Sequence, residues 1–302
     1  MRYYLSTKIF ITHMKAFSLY LSVFVLLSMS ACSDPNKGAQ DRLELARTLF
    51  FEKNFEQAKL EIDSIKILFP KSYEQIKGGM ALQDSVRMGE NTYLIGRCDS
   101  MIAVIQPSID SMKIFFIYER DEQYQEEGHG SFIPKEAYGG KVITTTALRS
   151  GVSENGELYI ESVFLGGQMH DRLKIAAKDG ASAETLPVIE DGFNFRFTNL
   201  GQQYEVIRFT GKKENGVGAF VSDNQDKQLT VTLSGGGVNS YILTPDTKKS
   251  ITRSVKLSRM MLVQDSLKGE KEKAEYKNYY LNEKKAKSDT IATVVDEVVA
   301  SE

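Results

Sequence analysis

The feature that most constrains the fold is a series of short β-rich segments between Met112 and Leu243. Turn-forming pairs such as Asn155-Gly156 and Asp179-Gly180 separate runs of β-branched and aromatic residues. These pairs are strong hairpin signals, because both central residues of a type I′ turn need a positive φ. Eight or nine such strands predict an all-β antiparallel sandwich or barrel. The predicted strands are 113–118, 142–147, 158–164, 173–177, 193–197, 204–209, 217–221, 229–233 and 240–243.

Helical patterns flank this region on both sides. Apolar residues recur at helical spacing from Ser72 to about Asp110, which predicts one long helix or two joined helices. Thr244-Pro245-Asp246 opens a second long helix, because proline suits the first helical position after a capping threonine. Its loosely heptad apolar spacing ends near Lys284. We therefore expect an α+β fold in which the C-terminal helix packs back on the N-terminal long helix.

The segment from Gln40 to Lys71 has the pattern of a helical hairpin. Two short antiparallel helices need a small residue where they cross, with bulky apolar residues beside it. The residues that carry this pattern are Leu45, Ala46, Phe50, Phe55, Ala58, Ile62, Ile65 and Pro70. Their order resembles one tetratricopeptide repeat of about 34 residues. The sequence contains no second copy, and arrays need about three units for a concave surface, so the resemblance implies a packing module.

The first 31 residues have the pattern of an export signal. Lys15 supplies the positive charge, and the apolar run 16–27 is too short to span about 30 Å of hydrocarbon as a permanent helix. Ser30-Ala31-Cys32 follows and resembles the lipobox of bacterial lipoproteins, although Met29 stands where that motif usually has leucine. The resemblance implies that Cys32 carries a diacylglyceryl group, which holds the chain on a membrane.

These patterns divide the chain into six segments. We expect a signal peptide at 1–31, a tether at 32–40, a helical region at 41–111, a β-rich domain at 112–243, a long C-terminal helix at 244–284 and a flexible tail at 285–302. This order, and most clearly the stretch 155–167, resembles lipoproteins of the Bacteroidota. The resemblance implies a lipid-anchored, extracytoplasmic location in the cell envelope, at the outer membrane or the periplasmic face, and it implies no activity.

The sequence offers little for catalysis or metal binding. Beyond the signal, its histidines are His129 and His170, and neither has a second histidine at metal-ligand spacing. We expect both to be exposed loop residues, while a pairing of His170 with a carboxylate such as Asp171 stays open. No nucleophile or phosphate-loop motif is present in the sequence. The prediction is a non-catalytic protein with no metal and no cofactor.

Charge and cysteine content narrow the classes of partner. The net charge of −2 gives no electrostatic reason to expect nucleic-acid binding. Cys98 is the other cysteine besides Cys32, so we expect no internal disulfide and a buried Cys98. The function we expect is a non-catalytic binding or scaffold module of the cell envelope that contacts another protein. The alternative is a module whose β domain binds glycan or peptide through tyrosines such as Tyr124 and Tyr138.

Overall fold

The structure is a computed structural model that describes residues 35–120, 130–136, 145–189 and 194–299, with side chains from 36 to 287. It confirms the α+β class, with three N-terminal helices, two antiparallel sheets and a long C-terminal helix. The elements in chain order are α1 (Pro35–Phe51), α2 (Phe55–Leu68), α3 (Tyr73–Lys113), β1 (Phe116–Glu119), β2 (Ser131–Pro134), β3 (Ala147–Ser153), β4 (Leu158–Leu165), β5 (His170–Ala177), β6 (Ser182–Glu184), β7 (Asn194–Asn199), β8 (Gln202–Thr210), α4 (Val217–Asp223), β9 (Leu229–Gly235), β10 (Val238–Ile242) and α5 (Pro245–Val299).

The chain divides into two compact units, and the first comprises residues up to Ile95 together with those from Lys273 onward. Here α1 and α2 form the predicted helical hairpin. Ala46 and Ala58 are fully buried where these helices pack against each other, beside Ile62 of α2. Small residues at the crossing therefore let the two helices approach closely, as the repeat-like pattern predicts.

The C-terminal helix packs against α3, as predicted. In the first unit the buried Asn91 donates a hydrogen bond to Asn278 at 2.9 Å. In the second unit Gln264 donates one to Gln106 at 2.6 Å. These polar pairs satisfy side chains that the helix interface would otherwise leave buried without partners.

The second unit, residues 96–272, contains both sheets. The larger sheet has the order β1-β2-β3-β4-β8-β7 and the smaller has β10-β9-β5-β6, with antiparallel pairing throughout. One apolar core joins residues of both sheets, which makes this a sandwich. Its largest fully buried side chains are Ile160, Leu173, Ile175, Ile207, Phe209, Leu229, Leu233 and Ile251.

The prediction of a strand at 217–221 is wrong, because this segment forms helix α4. Asn215 and Gly216 both have a positive φ, and the Glu214 carboxylate accepts the backbone N–H of Gly216 at 2.9 Å. This turn leads into a helix and does not connect two strands of a hairpin. A short apolar run is compatible with either structure, so periodicity alone could not distinguish them.

Other boundaries also differ from the prediction. Helix α1 begins at Pro35, inside the segment expected to be a tether, and α5 continues past Lys284 to Val299. Strands β2 and β6 were not predicted. Residues 142–144 of the predicted strand 142–147 lie outside the described residues, and residues 145 and 146 are not in a strand, since β3 begins at Ala147. Within the described part of the chain, no helix combines the length and the apolarity that a membrane span requires.

Candidate functional site

Three polar side chains form a connected chain inside the sandwich. The Ser162 hydroxyl oxygen lies 2.5 Å from His170 Nε2, and His170 Nδ1 lies 2.5 Å from Glu205 Oε2. Each residue is at most 4% exposed. The expectation of an exposed loop histidine is therefore wrong for His170, and its carboxylate partner is Glu205 rather than Asp171.

Strand alternation explains why two of these residues point inward. Successive side chains of a strand point to opposite faces, so Ser162 shares the core face of β4 with Ile160 and Phe164. In the same way Glu205 shares the core face of β8 with Ile207, two residues further along. A polar residue in an apolar row of alternate positions is the sequence signal that could have identified both.

His170 reaches the same place from the opposite sheet. It is the first residue of β5, and its pairing with Gly235 of β9 precedes an irregularity in the register. A Cβ on Gly235 would lie 2.8 Å from the backbone nitrogen of Asp171 and 3.0 Å from the Cα of His170. Glycine is required there because the two backbones approach so closely.

The carboxylate of Glu205 is the electrostatic centre of this chain. Its Oε2 accepts the backbone N–H of His170 at 2.8 Å, and its Oε1 accepts Arg196 Nε at 2.8 Å. Burial alone would raise the pKa of Glu205, but the hydrogen bonds from His170 and Arg196 together outweigh it. The pKa of Glu205 therefore lies below its ordinary value, and the carboxylate is ionised at neutral pH.

The order Ser162–His170–Glu205 has the connectivity of a catalytic triad. A nucleophile, however, must meet its substrate and lie beside donors that stabilise an oxyanion. Ser162 has no exposed surface, and it pairs within the sheet with Leu148 on one side and Ile207 on the other. The arrangement is therefore better suited to holding Glu205 in position than to acyl transfer.

Arg196 connects the buried chain to the surface. It lies on β7 directly opposite Glu205 of β8, and its side chain is 48% exposed. Its bond to Glu205 uses Nε, and among the described residues no hydrogen bond of its two Nη groups is seen. Because Nε holds the guanidinium against Glu205, the two Nη groups can donate to the two oxygens of a ligand carboxylate.

An open pocket of about 320 Å³ lies beside this guanidinium. Its walls are the loop 166–169 and the neighbouring parts of β7 and β8. By alternation, Thr198 and Gln203 share the face of the sheet that carries Arg196 and Glu205. The pocket is therefore lined on this face by polar side chains that donate and accept hydrogen bonds, and Met169, Phe197 and Tyr204 add apolar surface to it.

The loop 166–169 approaches β8 closely because it contains glycine. A Cβ on Gly167 would lie 2.7 Å from Oε1 of Gln203. The backbone N–H of Gly166 donates to the carbonyl oxygen of Gln203 at 3.2 Å. The Gly166-Gly167 pair thus connects the two sheets and also forms one wall of the pocket.

Several residues named from the sequence lie outside the described part of the chain, namely Cys32, Tyr124, His129 and Tyr138. Cys98 is buried in α3, as predicted. Within the described residues, no group of three or more His, Cys, Asp or Glu side chains could hold a metal ion. No protein-family model matches this chain, and no curated protein or solved structure is significantly similar to it.

Proposed function

We propose that this chain is a membrane-anchored, non-catalytic binding protein of the cell envelope. A lipid on Cys32 holds it at a membrane, and the pocket beside Arg196 binds a ligand that carries a carboxylate. The observation that carries this proposal is the half-exposed guanidinium of Arg196, bonded to the buried, ionised Glu205 at the wall of an open pocket.

Preorganisation makes this arrangement suitable for binding. A free arginine side chain loses much rotamer entropy when it binds a ligand, and a guanidinium that is already fixed loses less. Glu205 is fixed in turn by His170, whose ring also contacts Ser162. The buried chain therefore supports a rigid donor pair, and Thr198 and Gln203 supply the polar contacts that orient a ligand.

The carboxylate can come from an acidic saccharide or from a peptide, which are the two ligand classes left open by the sequence. We expect the chain from Cys32 onward to bind acidic oligosaccharides or peptides with a free C-terminus on an array. Amidated peptides and neutral saccharides are the matched negative ligands. If binding is lost when the peptide C-terminus is amidated, the ligand is a peptide. If the chain binds acidic but not neutral saccharides, the ligand is an acidic saccharide.

Arg196→Gln tests the site itself. Losing a charge-assisted bidentate contact weakens binding by about tenfold or more, measured by titration calorimetry. Arg172→Gln is the control, because Arg172 is also a partly exposed arginine of a β-strand bonded to a carboxylate, that of Asp171 at 2.8 Å. Equal affinity of the parent and Arg196→Gln, or no ligand of either class, would contradict the proposal.

A protein partner can supply the carboxylate in intact cells. A photo-crosslinking amino acid at Gln203 then yields an adduct with that partner. The same group at Lys178, in the exposed turn after β5, does not. Adducts formed equally from both positions would show that contact at the pocket is not specific.

A serine hydrolase is the second candidate, and the Ser162–His170–Glu205 connectivity favours it. The burial of Ser162 opposes it. A fluorophosphonate probe distinguishes the two candidates, since it labels only an accessible, activated serine. We expect no labelled Ser162 in the parent by peptide mass spectrometry. A label that disappears in Ser162→Ala would establish the hydrolase instead.

A further inference from the structure

An exposed apolar surface lies at the turn between α2 and α3. Ile67 is 76% exposed, Leu68 is 55% exposed and Tyr73 is 75% exposed. These three residues, which we call the turn surface, lie within seven positions of one another in the sequence. Large apolar side chains grouped at one exposed turn indicate a contact with another apolar phase or molecule.

The fold places the turn surface beside the first residues of α1. The Ser72 hydroxyl donates to Asn36 Oδ1 at 2.9 Å, and the ring of Phe69 covers Gly38 so closely that a Cβ there would lie 2.8 Å from it. Asn36 follows Cys32 by only four positions. Since α1 begins at Pro35, the intervening backbone spans at most about 10 Å.

Lysines outnumber carboxylates around the turn surface. Lys37, Lys66, Lys71 and Lys77 are all exposed, and the exposed acidic residues nearby in the sequence are Asp41, Asp63 and Glu74. Apolar side chains surrounded by lysines, with a tyrosine among them, suit the headgroup region of a bilayer. Anionic phospholipids attract such lysines at short range.

We infer that the turn surface docks into the headgroup region of the membrane that carries the lipid of Cys32. This inference rests on the proposed anchor, which holds the turn surface near the bilayer at a high effective concentration. Ile67, Leu68 and Tyr73 enter the interface, and the lysines contact anionic headgroups. Docking fixes the orientation of the helical unit on the membrane, which a lipid anchor alone does not do.

The absence of tryptophan from the sequence allows a direct test. Tyr73→Trp places a single fluorescent reporter at the turn surface, and Tyr280→Trp places one at an exposed tyrosine of α5 in the same unit. The chain from Cys32 onward contains every element that the structure describes. Because Cys98 is buried, Cys32 can be coupled selectively to a maleimide lipid in vesicles of phosphatidylglycerol and phosphatidylcholine.

We expect the indole emission of the Tyr73→Trp variant to shift to shorter wavelength on these vesicles and to be quenched by brominated lipid. The indole emission of the Tyr280→Trp variant should show neither change.

A double variant, Ile67→Ser with Leu68→Ser, removes most of the apolar area of the turn surface. Added to Tyr73→Trp, it reduces the quenching, and it weakens vesicle binding of the uncoupled chain by about tenfold. Both positions are exposed, so thermal melting should show an unchanged fold. Unshifted, unquenched emission of Tyr73→Trp on coupled vesicles would overturn the inference.

The chemical coupling keeps this result separate from the anchor. If cells do not lipidate Cys32, the anchor is wrong, and the vesicle measurement still decides whether the turn surface enters a bilayer. A second copy of the chain is the competing occupant. A dimer in sedimentation without lipid that Ile67→Ser with Leu68→Ser dissociates would assign the turn surface to self-association and overturn membrane docking.

Discussion

Glu205 is almost completely buried, yet three hydrogen bonds keep its carboxylate ionised. Leaving a buried carboxylate with one partner missing costs far more than an exposed ion pair gains. His170 and Arg196 therefore depend on Glu205 for their positions. At the scale of single residues, the buried charge of Glu205 therefore holds Arg196 in place at the wall of the pocket.

The pH dependence of stability tests this view of Glu205. Its pKa is lower in the folded chain than its ordinary value of 4.5, so its stabilising contribution is complete above that value. The contribution is lost as the pH falls through the lower, folded pKa. We expect the free energy of unfolding, measured with urea, to decrease more steeply below about pH 5 in the parent than in Glu205→Gln.

At neutral pH the same variant should be less stable than the parent by about 1 to 3 kcal/mol, because His170 and Arg196 lose a charged acceptor. Glu52→Gln is a suitable control, since Glu52 is exposed and its carboxylate makes no hydrogen bond or ion pair with the described residues. Parallel pH profiles for the parent and Glu205→Gln would show that Glu205 does not stabilise the fold as an ionised group.

The β3–β4 hairpin shows how elements are held together. Gly156 has the positive φ that its turn requires, and the ring of Tyr159 lies across Gly151 on the neighbouring strand. The Arg208 guanidinium lies over this ring, 4.2 Å from its centroid, and also pairs with Glu161. The tyrosine ring is therefore held by contacts with a glycine and with a guanidinium.

We expect Gly151→Ala to destabilise the chain by about 1 to 3 kcal/mol, because its Cβ would overlap the Tyr159 ring and force it to move. Gly96 lies in an exposed part of α3, and a Cβ added there has nothing within 4 Å of it. Gly96→Ala should therefore stabilise the folded chain by up to about 1 kcal/mol, because alanine favours a helix. Thermal and urea denaturation measure both changes. Equal stabilities for the two variants would contradict the proposed role of the ring.

Strands with regular alternation and a clear turn could be predicted, as β4 and β9 show. The three-residue strand β6 has too few residues for any periodicity. Helix α4 was missed because a short apolar run fits a strand and a helix equally well. Segments that contain several periods of a regular pattern were therefore accessible from the sequence, and segments too short for one were not.

The buried polar chain is the clearest case of this limit. Ser162 and Glu205 were detectable as polar residues in apolar rows, but their connection to His170 depends on packing between two sheets. His170 and Glu205 are separated by 35 positions in the chain. Sequence patterns describe neighbours on one element, and they do not say which residues of two elements meet.

At the scale of the whole molecule, two units carry the two proposed activities. The helical unit contains the turn surface beside the start of α1, and the β unit contains the pocket beside Arg196. The proposed lipid on Cys32 places both activities at a membrane. The lipid on Cys32 is therefore the central claim about function.

Membrane flotation of cell lysates after a high-salt wash tests this claim most directly, because salt weakens lysine–headgroup contacts and leaves acyl chains in place. The parent is predicted to float with the lipid fraction, and Cys32→Ser is predicted to remain with the soluble proteins. A Cys32→Ser variant that floats as completely as the parent would contradict the proposed anchor.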